Sequence, residues 1–122
     1  MKNVITWFEI PANDIERAAR FWETALSTKL KREDFLSVPH AIFGTNDGTD
    51  GVRGAIVQNK DQLPAAAGSR IYLGTNDIEG VMSRTPAAGG KVVLGKTSIG
   101  PQGFFALIED TEGNVVGIHT PA

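Results

Sequence analysis

A carboxylate at Glu9, an imidazole at His119, a phenol at Tyr72 and guanidinium groups at Arg53 and Arg70 are the side chains of this sequence with the clearest capacity for chemistry. Each falls in or beside a short run of β-branched and aromatic residues that reads as a strand. Strand side chains alternate between two faces, so Trp7 shares a face with Glu9, Arg70 with Tyr72, and Gly117 with His119. Arg53 and Val57 share a face with Ala55 in the same way. A carboxylate and an imidazole brought together can move a proton. Arginines hold carboxylates or phosphates through forked donors. Trp7 offers an apolar wall or a stacking surface. Each group also has a purely structural role open to it. His119 can be solvated, Glu9 can pair with an arginine, Arg53 can face solvent beside a turn, and Trp7 can fill core. His40 follows Pro39 at a loop-to-strand junction and carries no expected function.

Composition removes several classes of function. The chain has 122 residues and a formal net charge of −2. That argues for one domain and gives no electrostatic footprint for nucleic acid or an anionic membrane. Apolar residues make up 41% and charged residues 21%, as in an ordinary soluble domain. Cysteine is absent, which excludes both a disulfide framework and a thiolate zinc site. No run of roughly 18 apolar residues is present to span a bilayer, and no secretory signal is read at Met1. The expected location is therefore cytoplasmic. The turns Gly48-Thr49-Asp50-Gly51 and Gly100-Pro101-Gln102-Gly103 match no phosphate-cradling pattern, and no nucleophilic serine motif is present.

The chain repeats itself. Asn13-Asp14-Ile15-Glu16 recurs as Asn76-Asp77-Ile78-Glu79, an offset of 63. In both copies Asn is the expected N-cap, and Glu three residues on can close a capping box. The spacing predicts strands at Val4–Ile10, Lys29–Phe35, His40–Gly44 and Val52–Gln58, with a helix from Asp14 to about Leu26. The second copy is read as strands at Arg70–Gly74, Lys91–Leu94, Phe104–Glu109 and Val115–His119, with a helix from Asp77. Pro86 should stop or kink that helix, and Gly89-Gly90 should turn the chain. Asn46 to Gly51 and Asp110 to Gly113 read as the matching turns of the two copies. The units are thus about 1–62 and 69–122 of a single 1–122 domain, joined by a linker at about 63–68.

The helix start Asp14-Ile15-Glu16-Arg17 with Phe21-Trp22, and the hairpin from Phe104 through Asp110-Thr111-Glu112-Gly113 to Asn114, resemble the vicinal oxygen chelate superfamily. That group includes glyoxalase I, bleomycin-resistance proteins and extradiol dioxygenases. Thr111 stands where the family commonly has proline. The resemblance implies an α+β fold of two βαβββ units forming a half-open, eight-stranded cleft, and it makes a homodimer the expected assembly. It also implies four inward positions that hold one divalent metal in the family's enzymes. Here they fall on Trp7, Ala55, Arg70 and Gly117. None of these side chains can ligate a cation, and arginine has no lone pair to give. No metal or other cofactor is therefore expected.

If those positions face inward, Glu9, Arg53, Tyr72 and His119 do as well. Glu9 and His119 are the expected acid and base, with Trp7, Arg70 and Tyr72 as ligand-binding residues. The favoured reading is a metal-independent protein that binds a small polar or aromatic molecule, possible anions included. The alternative is a lyase, isomerase or dioxygenase-like enzyme that uses Glu9 and His119 as acid and base or as unusual metal ligands. A third reading has the cleft closed by side chains, with Trp7 as a plug and association as the role.

Overall fold

The computed structural model describes residues 4–44 and 51–122, so the turn expected at Asn46 to Asp50 lies outside it. The chain forms two four-stranded sheets of matching topology. In the first, β1 (Trp7–Pro11) is followed by helix α1 (Ile15–Ala25), then β2 (Lys31–Phe35), β3 (Val38–Ile42) and β4 (Arg53–Val57). In the second, β5 (Tyr72–Gly74) is followed by α2 (Ile78–Ala87), then β6 (Lys91–Ser98), β7 (Phe104–Glu109) and β8 (Val115–Thr120). Strand order is β1-β4-β3-β2 in one sheet and β5-β8-β7-β6 in the other. β1 and β5 occupy equivalent edge places, each parallel to the last strand of its unit. This is the expected α+β arrangement of two βαβββ units.

Both helices pack on one side of the sheets and share a single core. Trp22, Phe21, Ile56, Ile78, Ile108 and Ile118 are fully buried in it. The Phe21 and Trp22 rings meet edge to face at 5.0 Å, a favoured aromatic geometry. Phe21 also lies over Gly90, where any Cβ would collide with its ring and with the Glu109 carbonyl. Glycine there is a packing requirement between the units. Residues of opposite parity form the open face of each sheet, turned away from the helices.

Several sequence expectations are corrected. The helix N-caps are Asp14 and Asp77, not Asn13 and Asn76, and their carboxylates accept from Arg17 N–H and Gly80 N–H. No capping box forms, because Glu16 is drawn to Arg32 and Glu79 to Lys96. Pro86 does not break α2 before its end; it sits in the last turn, one residue before Ala87 ends the helix. There its missing donor costs only one hydrogen bond, and the helix closes on Ala88 and Gly89. β3 begins at Val38, before Pro39, so His40 stands in mid-strand. β6 runs on to Ser98 through register shifts rather than ending at Leu94. β5 starts at Tyr72, which leaves Arg70 just before the strand and exposed.

The turn Asp110 to Asn114 locks the two units together. The buried Glu112 carboxylate accepts from the Asn13 and Asp14 N–H groups at 2.9 and 3.0 Å. Arg17 adds two donors from α1, at 2.7 and 2.9 Å. Asn114 donates to Pro11 O and to Asp110, and accepts from Ala65 N–H in the linker. The N-terminal end of α1, capped by its own Asp14, thus also holds a carboxylate of the other unit, where its dipole favours negative charge. Among the described residues, no helix is long and apolar enough to cross a membrane.

Candidate ligand-binding site

Cross-strand pairing fixes which side chains share the open faces. In the first sheet Trp7 pairs with Arg53, Glu9 with Ala55, Ile42 with Ala55, and His40 with Val57. Glu33 and Phe35 join them from β2, opposite His40 and Val38. In the second sheet Tyr72 pairs with Gly117, and His119 lies between Gly74 and Phe105. Trp7, Glu9, Arg53, Tyr72 and His119 thus stand on open faces, as alternation requires.

Glu9 is the centre of a polar cluster on the first face. It accepts from the Trp7 indole N–H at 3.2 Å and from Gln62 Nε2 at 3.0 Å. His40 Nε2 lies 3.7 Å from Oε2, the oxygen that also accepts from the indole. His40 Nδ1 is 2.8 Å from Val38 O, which only accepts, so that nitrogen carries a proton. The Nε2 of a neutral His40 is then a bare lone pair facing a carboxylate. The His40 ring also meets Phe35 edge to face at 5.0 Å. Pro39 reads as a loop-to-strand junction and so hides His40, and Gln62 lies past the last expected strand of the first unit, where no pattern marks it. Parity with Ile42 was the signal that could have found His40.

The other site residues lie apart from this cluster. His119 Nε2 contacts Gln102 O at 2.8 Å, in the second unit. Arg70 is exposed, and Glu9 pairs with His40 rather than with it. Tyr72 is 50% exposed, and its ring lies flat over Gly117, filling the space that a Cβ there would occupy. Its ring centroid is 6.3 Å from that of Phe105. Trp7, at 40% exposed, is not part of the core; Trp22 is the core tryptophan.

Two hollows bear on binding. One of about 220 Å³ lies at the junction of the units, between Glu9 and Pro11, the linker residue Leu63, and Ile71, Asn114 and Val115. A second of about 470 Å³ opens on the first sheet before Trp7, Arg53, Phe35 and Ile42.

The four positions that would hold a metal do not fit one. Trp7 and Arg70 offer no lone pair, Ala55 has no donor, and Gly117 is covered by an aromatic ring. Among the described residues, no three His, Asp or Glu side chains cluster as a metal site would require.

Comparison with known proteins agrees with this architecture. A family model described as a glyoxalase-like domain matches residues 7–119. A glyoxylase-like domain-containing protein of Didymella fabae is 28% identical over 95% of this chain and 92% of its own. Among solved structures, an antibiotic-binding protein from a Streptomyces species superposes with a TM-score of 0.74 at 21% identity, covering 100% of this chain and 99% of that one. A glyoxalase/bleomycin resistance protein from Albidiferax ferrireducens gives 0.69 at 16% identity, over 97% and 99% of the two chains. A glyoxalase-related enzyme from Fulvimarina pelagi gives 0.69 at 14% identity, over 98% and 88%. At these identities the structural likeness speaks for the fold.

Proposed function

Because the chain belongs to the glyoxalase-like domain family, we propose that it binds a small organic molecule on the open faces of its sheets, as a homodimer and without a resident metal ion. The observation that carries this reading is the Tyr72 ring lying over Gly117, with Trp7 half exposed on the other sheet. Positions suited to metal ligands in the family's enzymes present aromatic surface instead. Such surface binds flat or apolar groups and gives no Lewis acid. The antibiotic-binding protein of the same fold is consistent with a sequestering role. The test is a metal analysis of the purified protein together with a thermal-shift screen of metals and metabolites. Well under one equivalent of metal is expected, with at least one metabolite raising the melting temperature equally with and without chelator. A stoichiometric metal that is needed for ligand binding would overturn the reading.

A second reading rests on the Glu9–His40 contact at 3.7 Å. At this separation a ligand group or a water seated between carboxylate and imidazole can exchange a proton with either, and the chain would then be a lyase or isomerase. Here His40 takes the partner role that the sequence had given to His119. Under this reading Glu9→Gln and His40→Gln abolish turnover of a ligand found in the screen while leaving its binding within a few-fold. Under the sequestering reading the same ligand is recovered unchanged by mass spectrometry.

A further inference from the structure

The hollow of the first sheet deepens the reading just given, and rests on it, by naming the chemistry of the ligand. Arg53 opens β4 directly beside Trp7. Its Nε is buried and has no hydrogen-bond partner. A buried guanidinium donor left unpaired is costly, and a carboxylate is the partner whose geometry its fork matches. The hollow that Arg53 helps to line, about 470 Å³, has the cations Lys29, Lys31 and Arg53 against one carboxylate, Glu33. Glu33 is itself shared with Lys31 at 3.8 Å. Glu9, also on this face, is engaged by Trp7, Gln62 and His40. The apolar lining is Trp7, Phe35, Leu30 and Ile42, with Trp7 and Phe35 40% and 45% exposed. Cationic charge with one unfilled donor beside two exposed aromatic rings selects a flat molecule that carries an anionic group.

We infer that this hollow is a subsite for a planar aromatic carboxylate. The acid group binds the Arg53 guanidinium, and the ring system lies against Trp7 and Phe35. Lys29 and Lys31 add to the local potential without fixing geometry, since an ammonium acts as a point charge.

The experiment uses three probes of one shape, 2-naphthoate, 2-naphthamide and 2-naphthylmethylamine, titrated calorimetrically into the full chain. On the wild-type protein naphthoate should bind at least tenfold more tightly than the amide, and the amine should bind most weakly. Arg53→Ala, confirmed folded by its melting curve, should bring naphthoate down to the level of the amide. Arg53→Lys should restore only part of the difference, because it lacks the fork. Equal binding of acid and amide by the wild type overturns the anion assignment without recourse to any variant, and leaves aromatic binding on the open face in place. Unchanged naphthoate affinity in Arg53→Ala overturns it too. If none of the three probes binds, the subsite assignment falls, and the broader reading is then judged by the metabolite screen alone.

Discussion

Glu112 carries more of the tertiary structure than any other single carboxylate described. Its side chain is fully buried and gathers donors from Asn13, Asp14, Arg17 and Thr111. Burial alone would raise its pKa; the hydrogen bonds from Arg17, the Asp14 N–H, the Thr111 hydroxyl and the Asn13 N–H outweigh it and lower the pKa to about 2. A folded-state pKa below the ordinary 4.5 means stability that is fully present above pH 4.5 and is lost as pH falls toward 2. The shift corresponds to about 3 kcal/mol, nearer about 2 once screening at the half-exposed Arg17 is allowed for. Asp110 acts in the opposite sense. Burial raises its pKa against the pull of Asn114 and Glu112 N–H. The Trp22 indole N–H adds a smaller lowering pull, although it makes no hydrogen bond of normal geometry. Protonating Asp110 as pH falls therefore returns some stability. We expect urea titrations of the wild type to show a loss between pH 5 and pH 2.5. Glu112→Gln should lose about 2 kcal/mol at pH 7 and much of the acid dependence. A variant as stable as wild type at pH 7 would remove Glu112 from this role. The sequence showed Glu112 only as part of a turn motif. Apart from Thr111, its partners Asn13, Asp14 and Arg17 lie 95 to 99 positions away, and nothing in spacing reveals them.

At the scale of elements, local pattern located strands and helices well and misjudged their ends. Ends are decided by tertiary partners that a local reading cannot see. The β2–β3 hairpin is an example. Its two central residues, Leu36 and Ser37, have φ of 51° and 65°, a left-handed pair that belongs to a type I′ turn. Neither residue favours that conformation, and Leu36 is fully exposed. Replacing them as Leu36→Asn with Ser37→Gly should therefore stabilise the protein by about 1 kcal/mol, read as a rise of a few degrees in melting temperature. No rise, or a fall, would show that the hairpin tip is held by something other than its own backbone. Gly90→Ala is the converse case. The new methyl has to displace Phe21 or the Glu109 carbonyl, and the expected cost is about 1–3 kcal/mol by equilibrium unfolding. The paired glycines were legible as a turn. That the second one also receives a ring from the opposite unit was not, because packing between repeats has no local signature.

At the scale of the molecule, the repeat and the closing hairpin motif were enough to read two βαβββ units from the sequence. The make-up of the site was only half legible. Alternation assigned faces within the strands but not for Arg70, which falls before β5, and it could not say that Glu9 turns to His40, because pairing within a face depends on register and on where β3 begins. The open faces also bear on assembly. Trp7, Phe35, Tyr72 and Leu94 lie on them and are 40%, 45%, 50% and 40% exposed. Each sheet ends in unpaired edge strands, β1 and β2 in one, β5 and β6 in the other. Apolar side chains beside bare edges are a liability for a lone chain and are ordinarily covered by a partner. A second copy related by a two-fold axis meets this need with one self-complementary surface. We therefore expect sedimentation equilibrium at tens of micromolar to give twice the chain mass. Leu94→Glu, on the second sheet and outside the Arg53 hollow, should shift the protein toward monomer while leaving the core, and thus the helical dichroism, unchanged. If an open face is built into the dimer, that shift should also weaken binding of ligands. A wild type that sediments only as monomer at high micromolar concentration would mean that both faces stand free, and each chain would then bind its ligand alone.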